Sequence, residues 1–226
     1  MRKNQEWKII DILIAIVIMI VIGGILSFFF LRLCFLKHLP EPLLIVIGTF
    51  FMTLSGVIFL LIKYPTDLYF FGFARTKFKE TLVWGGVGGL IISSVGFPYT
   101  VIIGEKNIPQ EFFIGFQNGK SNALIFLFAV IVLIPFVEEM FYRACLYRIL
   151  KNRFDVFWGY VGSTALFTLS HSLSQPREVI FFIINSSILT YIYEKTNSIG
   201  TSIIAHALWS FTWFTAIYSY KMKLLS

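Results

Sequence analysis

Cysteine and charge are both scarce in this sequence of 226 residues, and each shortage excludes a class of protein. Cys34 and Cys145 are the only cysteines, and they form neither a Cys-x-x-Cys pair nor a Cys/His zinc spacing. A disulfide framework and a cysteine-based zinc fold are therefore excluded. Charged residues make up 14% of the chain, whereas soluble domains average about 25%. The composition thus excludes an ordinary soluble domain.

The net charge of +7 does not indicate a nucleic-acid partner. Most lysines and arginines flank long apolar runs, as they do at the ends of membrane spans. No basic patch with interleaved aromatic residues is present beyond these flanks. We therefore expect no DNA or RNA partner.

Long hydrophobic runs are what the sequence has in abundance, since 57% of its residues are hydrophobic. A membrane helix needs about 20 mostly apolar residues. Seven stretches approach this length, at about 9–31, 42–62, 81–103, 122–147, 157–174, 179–193 and 199–219. The sequence predicts an all-α, polytopic membrane helix bundle with seven or eight transmembrane helices. Residues 1–226 would form a single transmembrane domain, with the lipid bilayer as its partner.

The distribution of basic residues indicates an orientation. With the N-terminus in the cytoplasm, the segments on the inner side carry eleven lysines and arginines, and those on the outer side carry seven. Cytoplasmic loops are enriched in these residues. We therefore predict an integral membrane protein whose N-terminus is cytoplasmic.

Ionisable residues lie inside three of the apolar stretches. Glu138 and Glu139 interrupt AVIVLIPFVEEMF, His171 lies in ALFTLSHSL, and His206 in TSIIAHALW. A charge at the centre of a spanning helix costs about 2.5–3.5 kcal/mol on insertion scales, so such residues usually serve a function. Adjacent helical residues point about 100° apart, whereas residues four apart share a face. Glu139 is therefore predicted to pair with Arg143, which leaves Glu138 free to point into a cavity.

A carboxylate and two imidazoles around a partly wet cavity suit the activation of water. Glu138 can accept a proton from water, and His171 and His206 can orient that water or stabilise charge. The same three side chains can also hold Zn²⁺ with a bound water. Glu138 lies roughly 15 Å along the helix from Arg148, the predicted cytoplasmic anchor, so we expect the reaction in the cytoplasmic half of the bilayer. Intramembrane Glu and His also mark proton paths, but the sequence shows no repeat symmetry typical of a transporter.

Three motifs carry a resemblance to a known family. VEEMFYR matches EExxxR through Glu138, Glu139 and Arg143; Phe167 and His171 match FxxxH; and His206 opens the third motif, HxxxN. Over residues 120–215 the chain resembles the CPBP family of intramembrane proteases, also called type II CAAX prenyl endopeptidase-like or Abi proteins.

The resemblance implies an intramembrane endopeptidase that cleaves hydrophobic or lipidated peptides or proteins in the membrane. Glu138 would activate water, His171 and His206 would bind or polarise it, and Glu139 and Arg143 would support the site. The family is described both as metal-dependent and as glutamate-dependent without metal. The cofactor is thus either a divalent metal such as zinc, held by Glu138, His171 and His206, or none.

One position departs from the family pattern. The family has Asn four residues after the third-motif histidine, where it is thought to donate to the oxyanion, and this chain has Ser210. Loss of one such donor costs about 10²–10³ in rate. The alternative is therefore a non-catalytic immunity or regulatory protein on a degraded protease scaffold. Bacterial relatives act in bacteriocin immunity and peptide maturation, so the expected location is a bacterial cell membrane.

Overall fold

The computed structural model describes residues 8–32, 41–63, 72, 78–107, 120–171 and 176–225. Within these ranges the chain is helical and forms no strand, which confirms the all-α prediction. The helices of this part are α1 (Ile9–Arg32), α2 (Glu41–Lys63), α3 (Phe78–Asn107), α4 (120–153), α5 (Val156–Leu169), α6 (Pro176–Thr196) and α7 (Ile199–Leu225).

Four segments of the described chain are long and apolar enough to cross a membrane. They are Ile9–Leu26, Leu43–Lys63, Phe78–Pro98 and Leu124–Arg153, which lie in α1 to α4. α5 is apolar but has only 14 residues. The prediction of a membrane-embedded helical protein is thus supported, while the number of seven or eight spans stays a prediction.

The fifth helix ends earlier than the predicted span 157–174. It begins where the Asp155 side chain accepts a hydrogen bond from the backbone N–H of Trp158 at 2.9 Å, an N-cap interaction. It ends at Leu169, and the backbone turns through Ser170 and His171. His171 therefore lies just beyond the end of α5 rather than within a continuous helix.

The fourth helix is irregular where it carries the two glutamates. Two π-helical segments, Ala129–Leu133 and Met140–Tyr147, flank the α-helical segment Ile134–Glu139. Pro135 has no backbone N–H to donate, which favours a local departure from α-helical bonding upstream of the glutamates. Its spanning segment is 44% buried, against 28% for each of the other three. α4 is accordingly the central helix of the four.

One end of the bundle collects basic residues, and we call it the basic end. Lys63 at the end of α2 pairs with the buried Asp11 near the start of α1. Lys151 at the end of α4 bonds Glu194 near the end of α6 at 2.5 Å. At the opposite end, Leu43 of α2, Phe126 of α4 and Phe214 of α7 pack in one cluster. The basic end is therefore formed by the starts of α1 and α7 and by the ends of α2, α4 and α6.

The α3 helix packs against α7 through glycines. A Cβ atom on Gly89 would lie 2.7 Å from Leu208 Cβ and 3.1 Å from the Ala205 carbonyl oxygen. A Cβ atom on Gly85 would lie 2.8 Å from Ile204 Cβ. Glycines four residues apart allow such close approach of helices in membranes, where the hydrophobic effect does not drive helix association. This contact fixes the position of α7.

We expect Gly89→Leu to destabilise the protein, because a side chain there collides with α7. Gly86→Leu is the matched control, since a Cβ atom at Gly86 meets no atom within 4 Å. Both substitutions have the same effect on helix propensity. The measurement is thermal unfolding in detergent, with a clear loss of melting temperature expected for Gly89→Leu alone. Equal melting temperatures for the two variants would contradict the predicted packing.

Candidate active site

A buried carboxylate oxygen joins two helices at the centre of the site. Glu139 Oε1 accepts hydrogen bonds from Arg143 Nη1 at 2.9 Å and from His206 Nδ1 at 2.8 Å. Glu139 and Arg143 are both fully buried. The ion pair expected from the four-residue spacing is therefore present, and it also extends to His206 on α7.

The Arg143 guanidinium links this pair to two further helices. Its Nη2 donates to Ser186 Oγ at 2.9 Å and to the Ser186 carbonyl oxygen at 3.3 Å, which ties α4 to α6. Its central carbon lies 4.6 Å from the centroid of the Phe167 ring on α5. Cation–π contact and hydrogen bonds together stabilise a buried guanidinium whose charge Glu139 balances.

Glu138 differs from its neighbour because it makes neither of the hydrogen bonds, from Arg143 and from His206, that hold Glu139. It is 8% exposed, and its Oε2 atom is buried without a hydrogen-bond partner. The Nε2 atom of His206 lies 3.8 Å from Oε2. This separation is too long for a direct hydrogen bond, and both atoms can bond to one water that lies beside them in the cavity.

The two glutamates contact opposite edges of the same imidazole ring. Because the Glu139 carboxylate accepts from His206 Nδ1, the proton of the neutral ring is assigned to Nδ1. The Nε2 lone pair of His206 then faces Glu138. A histidine fixed by a carboxylate in this way can accept a proton or a hydrogen bond at Nε2.

The second histidine is held by the last turn of α5. His171 Nδ1 bonds the Phe167 carbonyl oxygen at 2.8 Å, which leaves Nε2 available in the neutral ring. Its ring packs on Phe182, with centroids 4.1 Å apart, and on Phe167 at 4.5 Å. Phe167 is itself 6.1 Å from His206 by ring centroids. It therefore packs between the two histidines.

All three catalytic candidates line one cavity. Glu138, His171 and His206 border a space of about 370 Å³ together with Ser210. The rest of the lining is largely aromatic and aliphatic, from Val46, Val130, Ile134, Phe167, Phe181, Phe182, Trp209 and Trp213. The structure thus brings together Glu138, His171, His206 and Ser210, with Glu139 and Arg143 buried beside them.

The cavity lies on the side away from the basic end. Its lining comes from the first halves of α2 and α6, from α4 up to Glu138, from Phe167 of α5 and the following His171, and from the middle of α7 between His206 and Trp213. Arg148 and Lys195 lie at the other ends of α4 and α6. Glu138 is near mid-helix and its cavity extends away from the basic end, and the location of the reaction in the cytoplasmic half of the bilayer stays a prediction.

The candidate metal ligands do not form a metal centre in the described part of the chain. No group of three or more His, Cys, Asp or Glu side chains there has metal-binding geometry. Glu138 and His206 approach each other, but His171 does not complete a set with them. The residues present do not fit a three-ligand zinc site, and we derive no step through a metal.

Sequence reasoning missed two features of the site. The hydrogen bond between Glu139 and His206 joins residues 67 positions apart, which no local pattern shows. Asn185 on α6 also lines the cavity and is 1% exposed. An asparagine within the apolar run VIFFIINSSIL was the available signal for it, since buried polar residues in membrane helices are commonly functional.

Residues 120–212 match the family model described as type II CAAX prenyl endopeptidase Rce1-like. The resemblance to the CPBP family is confirmed. The matched segment agrees with the expected 120–215 and includes every candidate site residue. No curated protein and no solved structure matches the chain.

The Rce1-like match implies protease activity within a membrane. The match supports the prediction of a hydrolase and gives the non-catalytic alternative no support. It does not reach α1, α2 or α3, which lie before residue 120.

We expect Arg143→Met to destabilise the protein by about 3–5 kcal/mol, because it leaves the Glu139 charge buried without its partner. The double variant Glu139→Gln/Arg143→Met removes both charges and should lose less. The measurement is reversible unfolding of the purified protein in detergent. A single variant as stable as the wild type, or less harmful than the double variant, would show that the pair is not the stabilising interaction.

Proposed function

We propose that the protein is an intramembrane endopeptidase in which Glu138 activates a water molecule held by two histidines. One observation carries the proposal. The buried, unpartnered Oε2 of Glu138 faces the Nε2 edge of His206 across 3.8 Å, inside a cavity within the helical bundle. This arrangement leaves a proton acceptor and an imidazole lone pair around a space for one water.

In the first step, the water oxygen attacks the carbonyl carbon of the substrate while Glu138 takes a proton from the water. The carbonyl π electrons move to the oxygen, which becomes negatively charged. In the second step, Glu138 returns the proton to the amide nitrogen as the carbon–nitrogen bond breaks. The products are a carboxylic acid and an amine, and transfer of the acid proton to the amine gives a carboxylate and an ammonium ion.

Each histidine is oriented by a hydrogen-bond acceptor at its Nδ1 atom. Glu139 fixes His206 with its proton on Nδ1, so that Nε2 accepts a hydrogen bond from the water. The Phe167 carbonyl oxygen likewise fixes the proton of the neutral His171 ring on Nδ1. Because the two O–H groups of the water point at Glu138 and His206, His171 positions the water without accepting a hydrogen bond from it. Because Glu139 is paired with Arg143, it can orient His206 without competing with Glu138 for the water.

The substrates we propose are hydrophobic or lipidated peptides in the membrane. The aromatic lining of the cavity suits an apolar peptide segment, and a space of about 370 Å³ admits a few residues of it. The name of the matched family adds prenylated CAAX sequences as the substrate class to test first. With the N-terminus and the basic end in the cytoplasm, Glu138 would lie near the middle of the bilayer and the cavity would extend from there toward the outer face.

We expect Glu138→Gln to reduce peptide hydrolysis by at least about 10²-fold, since the amide cannot accept the proton. The matched control is Glu194→Gln, which makes the same substitution at the basic end, where Glu194 bonds Tyr147 and Lys151. The assay uses purified protein in liposomes and an internally quenched farnesylated peptide that ends in a CAAX sequence. A non-prenylated hydrophobic peptide of equal length serves as the second probe.

Retention of full hydrolysis by Glu138→Gln would show that Glu138 is not the base. If the wild-type protein cleaves neither peptide while properly folded, the endopeptidase proposal fails for both substrate classes. The non-catalytic alternative would then gain support.

The two nitrogens of His206 can be tested separately. The Asn side-chain amide reaches the Nδ1 position, and the Gln amide reaches the Nε2 position. We expect His206→Asn to keep the contact with Glu139 and the melting temperature but to lose activity, because nothing replaces Nε2. We expect His206→Gln to lose stability, because the contact with Glu139 is lost. An active His206→Asn variant would contradict the role of Nε2.

A further inference from the structure

The cavity is lined by a second carboxylate, to which the proposed mechanism gives no role. Besides Glu138 of α4, its lining includes Glu178 in the first turn of α6. Among the lining residues that the structure describes, none is a lysine or an arginine. Arg177, next to Glu178 in the chain, is exposed and does not line the cavity. The described lining thus offers a bound substrate two negative groups and no positive side chain.

One face of α6 carries Glu178 on the side of the cavity. Residues three and four apart lie on the same face of a helix, and Glu178 is three residues before Phe181 and four before Phe182. All three line the cavity. The Phe182 ring packs on His171, with centroids 4.1 Å apart, so this is the face of α6 that lies against the site. Glu178 is one turn nearer the start of the helix than the two phenylalanines.

Contacts between α6 and α7 give the level of Glu178 in the bundle. The two helices run in opposite directions, and the rings of Phe181 and Trp209 lie 4.8 Å apart by centroids. Away from the basic end, Glu178 is three residues beyond Phe181, and Trp213 is four residues beyond Trp209. At a rise of about 1.5 Å per residue, Glu178 and Trp213 share one outer layer of the cavity. His206 is three residues to the other side of Trp209, so this outer layer is roughly 10 Å from the reacting atoms.

A carboxylate and an indole ring in one layer suit a cation. The carboxylate of Glu178 attracts an ammonium or guanidinium group by charge, and the face of a tryptophan ring attracts the same groups. The largely apolar walls of the cavity screen such attraction less than water does. A substrate carboxylate in the same layer would be repelled by Glu178 and would meet no basic partner in the described lining.

We infer that the cavity selects peptides with a lysine or arginine two to three residues from the cleaved bond, and that Glu178 determines this specificity. The inference rests on the proposed function and names a substrate class for the same site. An extended peptide advances about 3.3–3.6 Å per residue, so two to three residues span the distance from the reacting atoms to the outer layer. A basic residue there places its charge beside Glu178, and a free terminal carboxylate in the same place is disfavoured.

Peptides of different charge test the inference. Mass spectrometry of the products first identifies the bond that the wild-type protein cleaves in the two quenched peptides. The second and third residues from that bond are then replaced by lysine, glutamine or glutamate, in one series before the bond and in another after it. In one of the two series, we expect kcat/KM to be about fivefold higher for lysine than for glutamine, and lowest for glutamate. Raising NaCl from about 0.1 M to about 1 M should reduce this ratio, because the screening length falls from about 10 Å to about 3 Å.

Substitution of Glu178 shows whether this residue is responsible. Glu178→Gln should remove the preference for lysine over glutamine, and Glu178→Lys should reverse it in favour of glutamate. The matched control, Glu194→Gln, removes a carboxylate at the basic end and should retain the wild-type ratio. A glutamate that only stabilises the first turn of α6 would, when replaced, change the melting temperature and leave the ratio between peptides unchanged.

The outcomes separate this inference from the function on which it rests. Equal kcat/KM for the three peptides in both series, together with an inactive Glu138→Gln, would overturn the specificity and leave the endopeptidase intact. A preference for lysine that persists in Glu178→Gln would overturn the role of Glu178. A wild-type protein that cleaves neither quenched peptide would overturn both. If Glu178→Lys does not fold, Glu178→Gln and the wild-type series still decide the inference.

Discussion

The buried oxygen of Glu139 that accepts from both Arg143 and His206 is the interaction on which the site depends. Arg143 in turn bonds Ser186, so the network connects α4, α6 and α7. A charged group deep among membrane helices is stable only when its partners are in place. The network therefore fixes the rotation of three helices about their axes, and with it the direction in which Glu138 and His206 point.

The same network explains how two adjacent carboxylates can differ. The charge of Glu139 is balanced by Arg143, and the same carboxylate oxygen also accepts a hydrogen bond from His206 Nδ1. Glu138 lacks the bond to the arginine and lines the cavity, whereas Glu139 does not, although each glutamate has a buried Oε2 without a hydrogen-bond partner. Water activation needs both groups: the Glu139–Arg143 ion pair orients His206, and the Glu138 carboxylate remains available to accept a proton. Neither glutamate could supply both.

Much of the fold follows from hydropathy, whereas the site follows only in part. Apolar runs locate the helices because length and composition govern burial in lipid, but they do not show that α5 stops at Leu169, where no glycine or proline marks the end. The Glu139–Arg143 pair follows from a local spacing. Its extension to His206, and the place of Asn185, depend on how separate helices are rotated against each other. Such rotation is set by packing rather than by local sequence.

The helices outside the family segment take part in that packing. Gly89 on α3 lets its backbone approach Leu208, and the Trp209 ring lies where a Cβ atom on Gly96 would be. Both contacts fall on α7, between or next to His206 and Ser210. Since close backbone contact, not hydrophobic burial, holds helices together in lipid, the position of His206 depends on α3 as well as on Glu139. The family segment of residues 120–212 carries the chemistry, and a helix before it holds one of the two histidines in place.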